Sequence, residues 1–286
     1  MKKIILLTFA LLLLTGCDLQ KDNLEDAKIY TTIYPIKYLT EKLYSNQATI
    51  ESIYPAGADV NTYKLTKKQI KEYAKADLFI YNGLSSEKNI TKNLINENKN
   101  LLIIDVAGGL SYNYDIKELW LSPNNYLMFA KNIKDYLKEY LSSKIIADEL
   151  AKNYDELAEK LSLMDADLRE IGKKASQSGT NTLVVSDNVF RFLENYGFNI
   201  VSLDEKTLTE TSRSSIASSF KKGTYKYILV LDNNYTDNIN NIIKEYEAKA
   251  VDVNSMTNIS STDDTNDYLT VMQEFIDNIR NICIVD

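Results

Sequence analysis

The side chains able to do chemistry in this 286-residue sequence are carboxylates, amides, hydroxyls and two cysteines; histidine is absent. Without imidazole the chain cannot build a Ser-His-Asp triad, a Cys-His pair, a Cys2His2 finger or a three-histidine zinc centre, so the commonest hydrolytic and zinc chemistries are excluded. Any metal would sit mainly among oxygens. No nucleophile lies beside a general base, so a catalytic role is disfavoured. With 33 Lys plus Arg against 40 Asp plus Glu, the formal net charge is −7. That balance argues against nucleic acid as a partner, because displacing counterions from phosphate takes concentrated Lys and Arg.

The cysteines sit in unlike surroundings. Lys2 and Lys3 precede an apolar run from Ile4 to Leu14, interrupted only by Thr8, and Leu14-Thr15-Gly16-Cys17 closes it. A basic head and an apolar core too short to span a bilayer, ending at small residues, read as an export signal over residues 1–16. The last four residues resemble the bacterial lipobox, which makes Cys17 the expected mature N-terminus and lipid anchor. Setting aside Lys2 and Lys3 leaves 31 basic side chains against 40 acidic, a formal balance of −9. Cys283 lies in the apolar stretch Ile282-Cys283-Ile284-Val285 and reads as a core thiol. With Cys17 taken by lipid no disulfide partner remains, so packing must supply the stability.

The elements that must position any site alternate. After a polar tether, residues 17–27, strands are expected at Ile29–Ile33, Thr49–Tyr54, Leu78–Tyr81 and Leu101–Val106. Helices are expected between them at Ile36–Tyr44, Lys67–Lys75 and Ser86–Glu97. From Pro123 to Lys174 there is apolar periodicity without a strand. Leu127, Ile133, Leu137 and Leu141 mark one stripe, and Leu150, Tyr154, Leu157, Leu161 and Leu168 another, giving two consecutive helices or one long bent helix. A helix of roughly 25 to 30 residues is about 40 Å long, enough to connect two lobes. The alternation resumes with strands at Thr182–Ser186, Ile200–Leu203, Tyr227–Leu231 and Ala248–Val251. The expected fold class is therefore α/β, with an N-terminal lobe over 28–122, a helical spine over 123–175 and a C-terminal lobe over 176–286, the sheets mostly parallel.

Several segments together resemble the metal-binding lipoproteins that serve as substrate receptors of zinc and manganese ABC importers. They are Thr31-Thr32-Ile33-Tyr34-Pro35-Ile36; Ile53-Tyr54-Pro55-Ala56-Gly57 followed by Asn61-Thr62-Tyr63 and Thr66; and Ala76-Asp77-Leu78-Phe79-Ile80-Tyr81-Asn82-Gly83-Leu84. Further along come Trp120-Leu121-Ser122-Pro123, Ser186-Asp187 with Phe190, Phe192, Tyr196 and Gly197, and Tyr268-Leu269 with Met272. The resemblance runs from about Lys28 to Arg280 and implies the metal-receptor substrate-binding protein fold, with one metal ion as transported substrate between the lobes. Carried over by residue, the four ligand positions fall on Asn61 and Glu118, where the family usually has histidine, and on Asp187 and Asp252.

An Asn, Glu, Asp, Asp set offers only oxygens, which favours Mn(II) or another oxygen-preferring ion over Zn(II). Each position has a plain alternative: Asn61 as a turn residue, Glu118 as a rim or salt-bridge residue, Asp187 as a helix cap, and Asp263, Asp264 or Asp267 in place of Asp252. Tyr34 and Tyr63 adjoin the expected cleft as candidates for hydrogen bonds to the ligands. The expected protein is a monomeric receptor on the extracytoplasmic face of the bacterial membrane, anchored in the bilayer through Cys17 and serving a membrane permease. Loss of both histidines also suits an adhesin or structural surface lipoprotein that no longer binds metal, and acidic and aromatic lining suits a cationic organic ligand.

Overall fold

A computed structural model describes residues 24–259 and 267–284. The expected export signal, Cys17, Asp263 and Asp264 lie outside those residues. Two four-stranded sheets, every pairing parallel, carry the two lobes. The first contains β1 (Ala27–Thr31), β2 (Ala48–Ser52), β3 (Leu78–Tyr81) and β4 (Leu102–Asp105) in the order β2-β1-β3-β4. The second contains β5 (Thr182–Val185), β6 (Asn199–Ser202), β7 (Tyr227–Leu231) and β8 (Lys249–Val253) in the order β6-β5-β7-β8. The two lobes thus share one strand order. In each, the chain leaves the first strand toward one edge and returns past it to the other, which opens a crevice at the carboxyl ends of the central strands.

The helices that cover the first sheet are α1 (Tyr34–Tyr44), α2 (Lys67–Tyr73) and α3 (Lys88–Glu97). Thr66 starts α2 with a capping box, its hydroxyl accepting from the Gln69 N–H while the Gln69 side chain accepts from the Thr66 N–H. A four-residue helix, α4 (Glu118–Leu121), leads into α5 (Pro123–Glu139), with Pro123 at the position where a missing N–H costs nothing. The spine resolves as two helices. After α5 the chain turns at 140–143 into α6 (Lys144–Ser178), 35 residues and about 52 Å long, capped at its start by the Ser143 hydroxyl and ended by Gly179 in the left-handed region. A 3-10 segment (Asn188–Tyr196) follows β5, and α7 (Glu210–Lys221), α8 (Asp237–Tyr246) and α9 (Tyr268–Cys283) complete the fold.

One apolar core runs through both lobes, joining Ile29, Phe79 and Ile104 of the first sheet to Phe129 of α5, Leu168 of α6, Phe190 after β5 and Phe275 of α9. A smaller core closes the outer face of the second sheet around Leu203, Phe220, Ile228 and Ile239. Between the lobes the Trp120 indole N–H donates to the Ser255 carbonyl at 2.7 Å, and the Tyr34 N–H donates to the Thr257 carbonyl at 3.2 Å. The Asn258 amide donates to the carbonyls of Pro55 and Ala58 at 3.0 and 2.7 Å. Buried Tyr268 stacks on Tyr126 with ring centroids 3.9 Å apart, and its hydroxyl donates to the Trp120 carbonyl. Cys283 is buried, and burial pushes its thiol up to about 11. Among the described residues no helix is long and apolar enough to cross a membrane.

Candidate substrate cleft

The loops that leave the carboxyl ends of both sheets face one another across a cleft of about 830 Å³. The loop after β2 brings Asn61, the loop after β4 brings Lys117, the loop after β7 brings Asp232, the carboxyl end of β8 itself brings Asp252, and α9 brings Glu274 and Asn278. The turn after β7 has Asp232 and Asn233 both in the left-handed region, at φ 49° and 55°, a conformation that Asp and Asn tolerate better than most residues. Asp232 secures it across the lobe by accepting from the Ser255 N–H at 2.7 Å.

The four positions carried over as ligands meet different fates. Asn61 and Asp252 line the same cleft. Asn61 stands in a turn organised by Asp59, which accepts from the Asn61 N–H at 2.9 Å and from the Thr62 hydroxyl at 2.9 Å. Asp252 accepts from the Tyr235 hydroxyl at 2.6 Å. Asp187 caps the 3-10 segment by accepting from the Val189 N–H at 2.8 Å. Burial pushes its carboxyl above the usual range; the nearby Lys117 pulls it down while Asp115 and Asp204 add to the rise. Glu118 is only 4% exposed, and its two oxygens accept from the N–H groups of Asn113, Tyr114 and Asp115 at 3.1, 2.6 and 2.9 Å. It holds its own loop together and does not line the cleft. Asp267 caps α9 through the Thr270 N–H and accepts from the Tyr38 hydroxyl at 2.9 Å. Tyr63 accepts at its hydroxyl from Gln69, and burial, with Asp267 nearby, raises Tyr34 to about 12.

Lys117 was not singled out from the sequence. Its ammonium lies 3.2 and 3.3 Å from the two Asp115 oxygens, on the cleft side of the loop that Glu118 secures. Beyond Asn61 and Lys117 a second cavity of about 140 Å³ continues into the first lobe, lined among others by Tyr54, Asn82, Glu87, Asp115 and Trp120. Glu87 is 5% exposed and accepts from the Asn82 N–H at 3.0 Å; burial raises its carboxyl to about 7. Asp232 could have been found by asking which acids follow a strand, since Leu231 ends β7. Asn82 and Glu87 carried no such signal, because Asn82-Gly83 reads as an ordinary strand stop and Glu87 as a solvated charge.

The family described as zinc-uptake complex component A, periplasmic, matches residues 29–282. The chain belongs to this family. Membership carries an extracytoplasmic, membrane-anchored location. Among its relatives, the iron-binding protein YfeA of Yersinia pestis is 28% identical over 193 residues, 64% of this chain and 60% of YfeA. The zinc-binding lipoprotein AdcA of Streptococcus pneumoniae serotype 4 is 24% identical, over 96% of this chain and 60% of AdcA. The chain therefore spans about three fifths of the length of these relatives. In fold it is similar to the Zn(II)-bound ZnuA-like domain of S. pneumoniae AdcA, with a TM-score of 0.73 and 22% identity over 90% of this chain and 99% of that one. It is likewise similar to the metal-dependent lipoprotein YcdH of Bacillus subtilis, with a TM-score of 0.75 and 19% identity over 91% of this chain and all of YcdH.

The expected preference for Mn(II), or another oxygen-preferring ion, over Zn(II) is corrected by these findings. Structures of this fold hold Zn(II), and among the described residues no group of three or more His, Cys, Asp or Glu side chains could hold a metal ion. The physical reason lies in competition for the carboxylates. Glu118 is engaged by three backbone N–H groups, Asp115 by the Lys117 N–H and ammonium, and Asp187 by its cap. As arranged among the described residues, these carboxylates do not converge into the set of four or more ligands that a bare ion takes.

Proposed function

We propose that this chain is the lipid-anchored substrate-binding component of an ABC importer, which holds its cargo in the cleft between the lobes and hands it to a membrane permease. The observation that carries this reading is the family match over residues 29–282, laid on two parallel sheets of the same strand order whose carboxyl ends face one polar cleft. Cargo meets a histidine-free wall, with Asn61 on one side and Asp252 on the other, and Asp187 balances Lys117 behind them. The test is reconstitution of the ABC permease and ATPase of the same organism in vesicles with the mature chain added outside. A receptor raises ATP hydrolysis saturably with its own concentration; hydrolysis that stays at its basal rate across the titration refutes the assignment.

A further inference from the structure

The side cavity behind Asn61 is built for an oxygen-bearing occupant. Asn82 is 1% exposed; its Oδ1 accepts from the Leu84 N–H at 3.0 Å and its own N–H is taken by Glu87. Its Nδ2 is buried with no hydrogen-bond partner among the described residues. A buried amide left with an unspent donor is costly and rare, and it marks a position where an acceptor belongs. Lys117 faces the same cavity with an ammonium that Asp115 engages at one carboxylate, and an ammonium has three N–H bonds to place. Two donors, one of them charged, meet in a space comparable to the roughly 150 Å³ that accommodates a six-atom ring. A carboxylate fits that combination. The outer cleft carries Asp232, Asp252 and Glu274 on its wall, whereas the inner cavity sets Lys117 beside Asp115 and Glu87. The two cavities adjoin at Val60, Asn61, Lys117 and Thr257, which line both.

We propose that the cleft takes a small zwitterion, its carboxylate seated on Asn82 Nδ2 and the Lys117 ammonium and its cationic group turned toward Asp232, Asp252 and Glu274. This names the cargo class and rests on the receptor reading of the cleft. It also accounts for a donor set that does not fit a bare metal ion.

Calorimetry on the purified mature chain tests the proposal, with the twenty L-amino acids, each raised to millimolar concentration, and Zn(II) alone as probes. Saturable binding of at least one amino acid is expected. Asn82→Asp, which keeps the contact to Leu84 but replaces the donor, and Lys117→Met should each weaken it by about tenfold or more, while Lys160→Met, at an exposed position of α6 that lines neither cavity, leaves it unchanged. The carboxamide of the same amino acid, which needs no variant protein, should bind about tenfold or more weaker than the acid. Absence of binding by all twenty, or equal binding of acid and carboxamide, overturns the proposal. The vesicle assay separates the two levels. Zn(II) that binds and supports ATPase stimulation where no amino acid binds removes the zwitterion and keeps the receptor; an amino acid that binds without any stimulation does the reverse.

Discussion

Replacing Glu118 by alanine should destabilise the cargo-free protein, because this carboxylate is a structural acceptor. Its oxygens take three backbone N–H groups, at 3.1, 2.6 and 2.9 Å, from the loop that leads into α4. A hydrogen bond to a charged group contributes about 1.5–3 kcal/mol, and three such bonds set an upper range that water reaching the exposed loop residues reduces. The expected loss for Glu118→Ala is about 2–4 kcal/mol. For a chain of this size that lowers the melting temperature by roughly 4–8 °C, at about 2 °C per kcal/mol. Glu118→Gln retains one acceptor oxygen for two of the three donors and should lose about half as much. Thermal unfolding of the mature chain by circular dichroism, without added cargo, measures both. The loop should also become accessible to hydrogen exchange at Asn113 to Asp115. A Glu118→Ala protein that melts within about 1 °C of the unmodified chain, yet binds cargo more weakly, would show that this side chain faces the cleft and would refute the account of the loop.

Glu87 should make stability fall as pH rises. Its folded carboxyl titrates near 7 against an ordinary value of 4.5, burial being the main cause and Asp105 adding to it. The folded state therefore binds the extra proton between those two values, and on the order of 3 kcal/mol of stability is lost as pH climbs from about 4.5 through 7. Glu87→Gln, compared with the unmodified chain by melting across that window, should flatten the slope; an unchanged slope refutes the assignment. Gly172→Ala should destabilise by about 1–3 kcal/mol or more, since a Cβ on α6 would stand 1.9 Å from the Tyr196 carbonyl and push away the 3-10 segment that Asp187 caps. Urea unfolding with an unchanged midpoint would contradict that packing. Cys17→Ser should abolish incorporation of labelled palmitate and leave the chain unprocessed, and retained labelling would place the lipid elsewhere.

The strands were readable because parallel strands buried on both faces are near-continuous apolar runs, and Leu78–Tyr81 and Tyr227–Leu231 stand in the sequence with the bounds they have in the fold. The long helix was readable in its stripe, while its extent to Ser178 depended on a glycine cap and not on periodicity. The site was legible as a place along the chain and much less as a set of side-chain directions. Motif spacing puts residue 118 just before Trp120, and the structure keeps that register. What spacing cannot state is which way a side chain turns once its type changes. An acid at this position has the unpaired N–H groups of its own preceding loop within reach, and three charge-assisted bonds formed locally outweigh exposure to a cleft that already holds Asp232, Asp252 and Glu274. Turned inward, Glu118 fixes the loop so that the residue before it, Lys117, supplies the charge on the cleft wall. Glu118 thus holds the backbone of the motif in place from within its loop, while the group that this stretch presents at the cleft wall is the Lys117 ammonium.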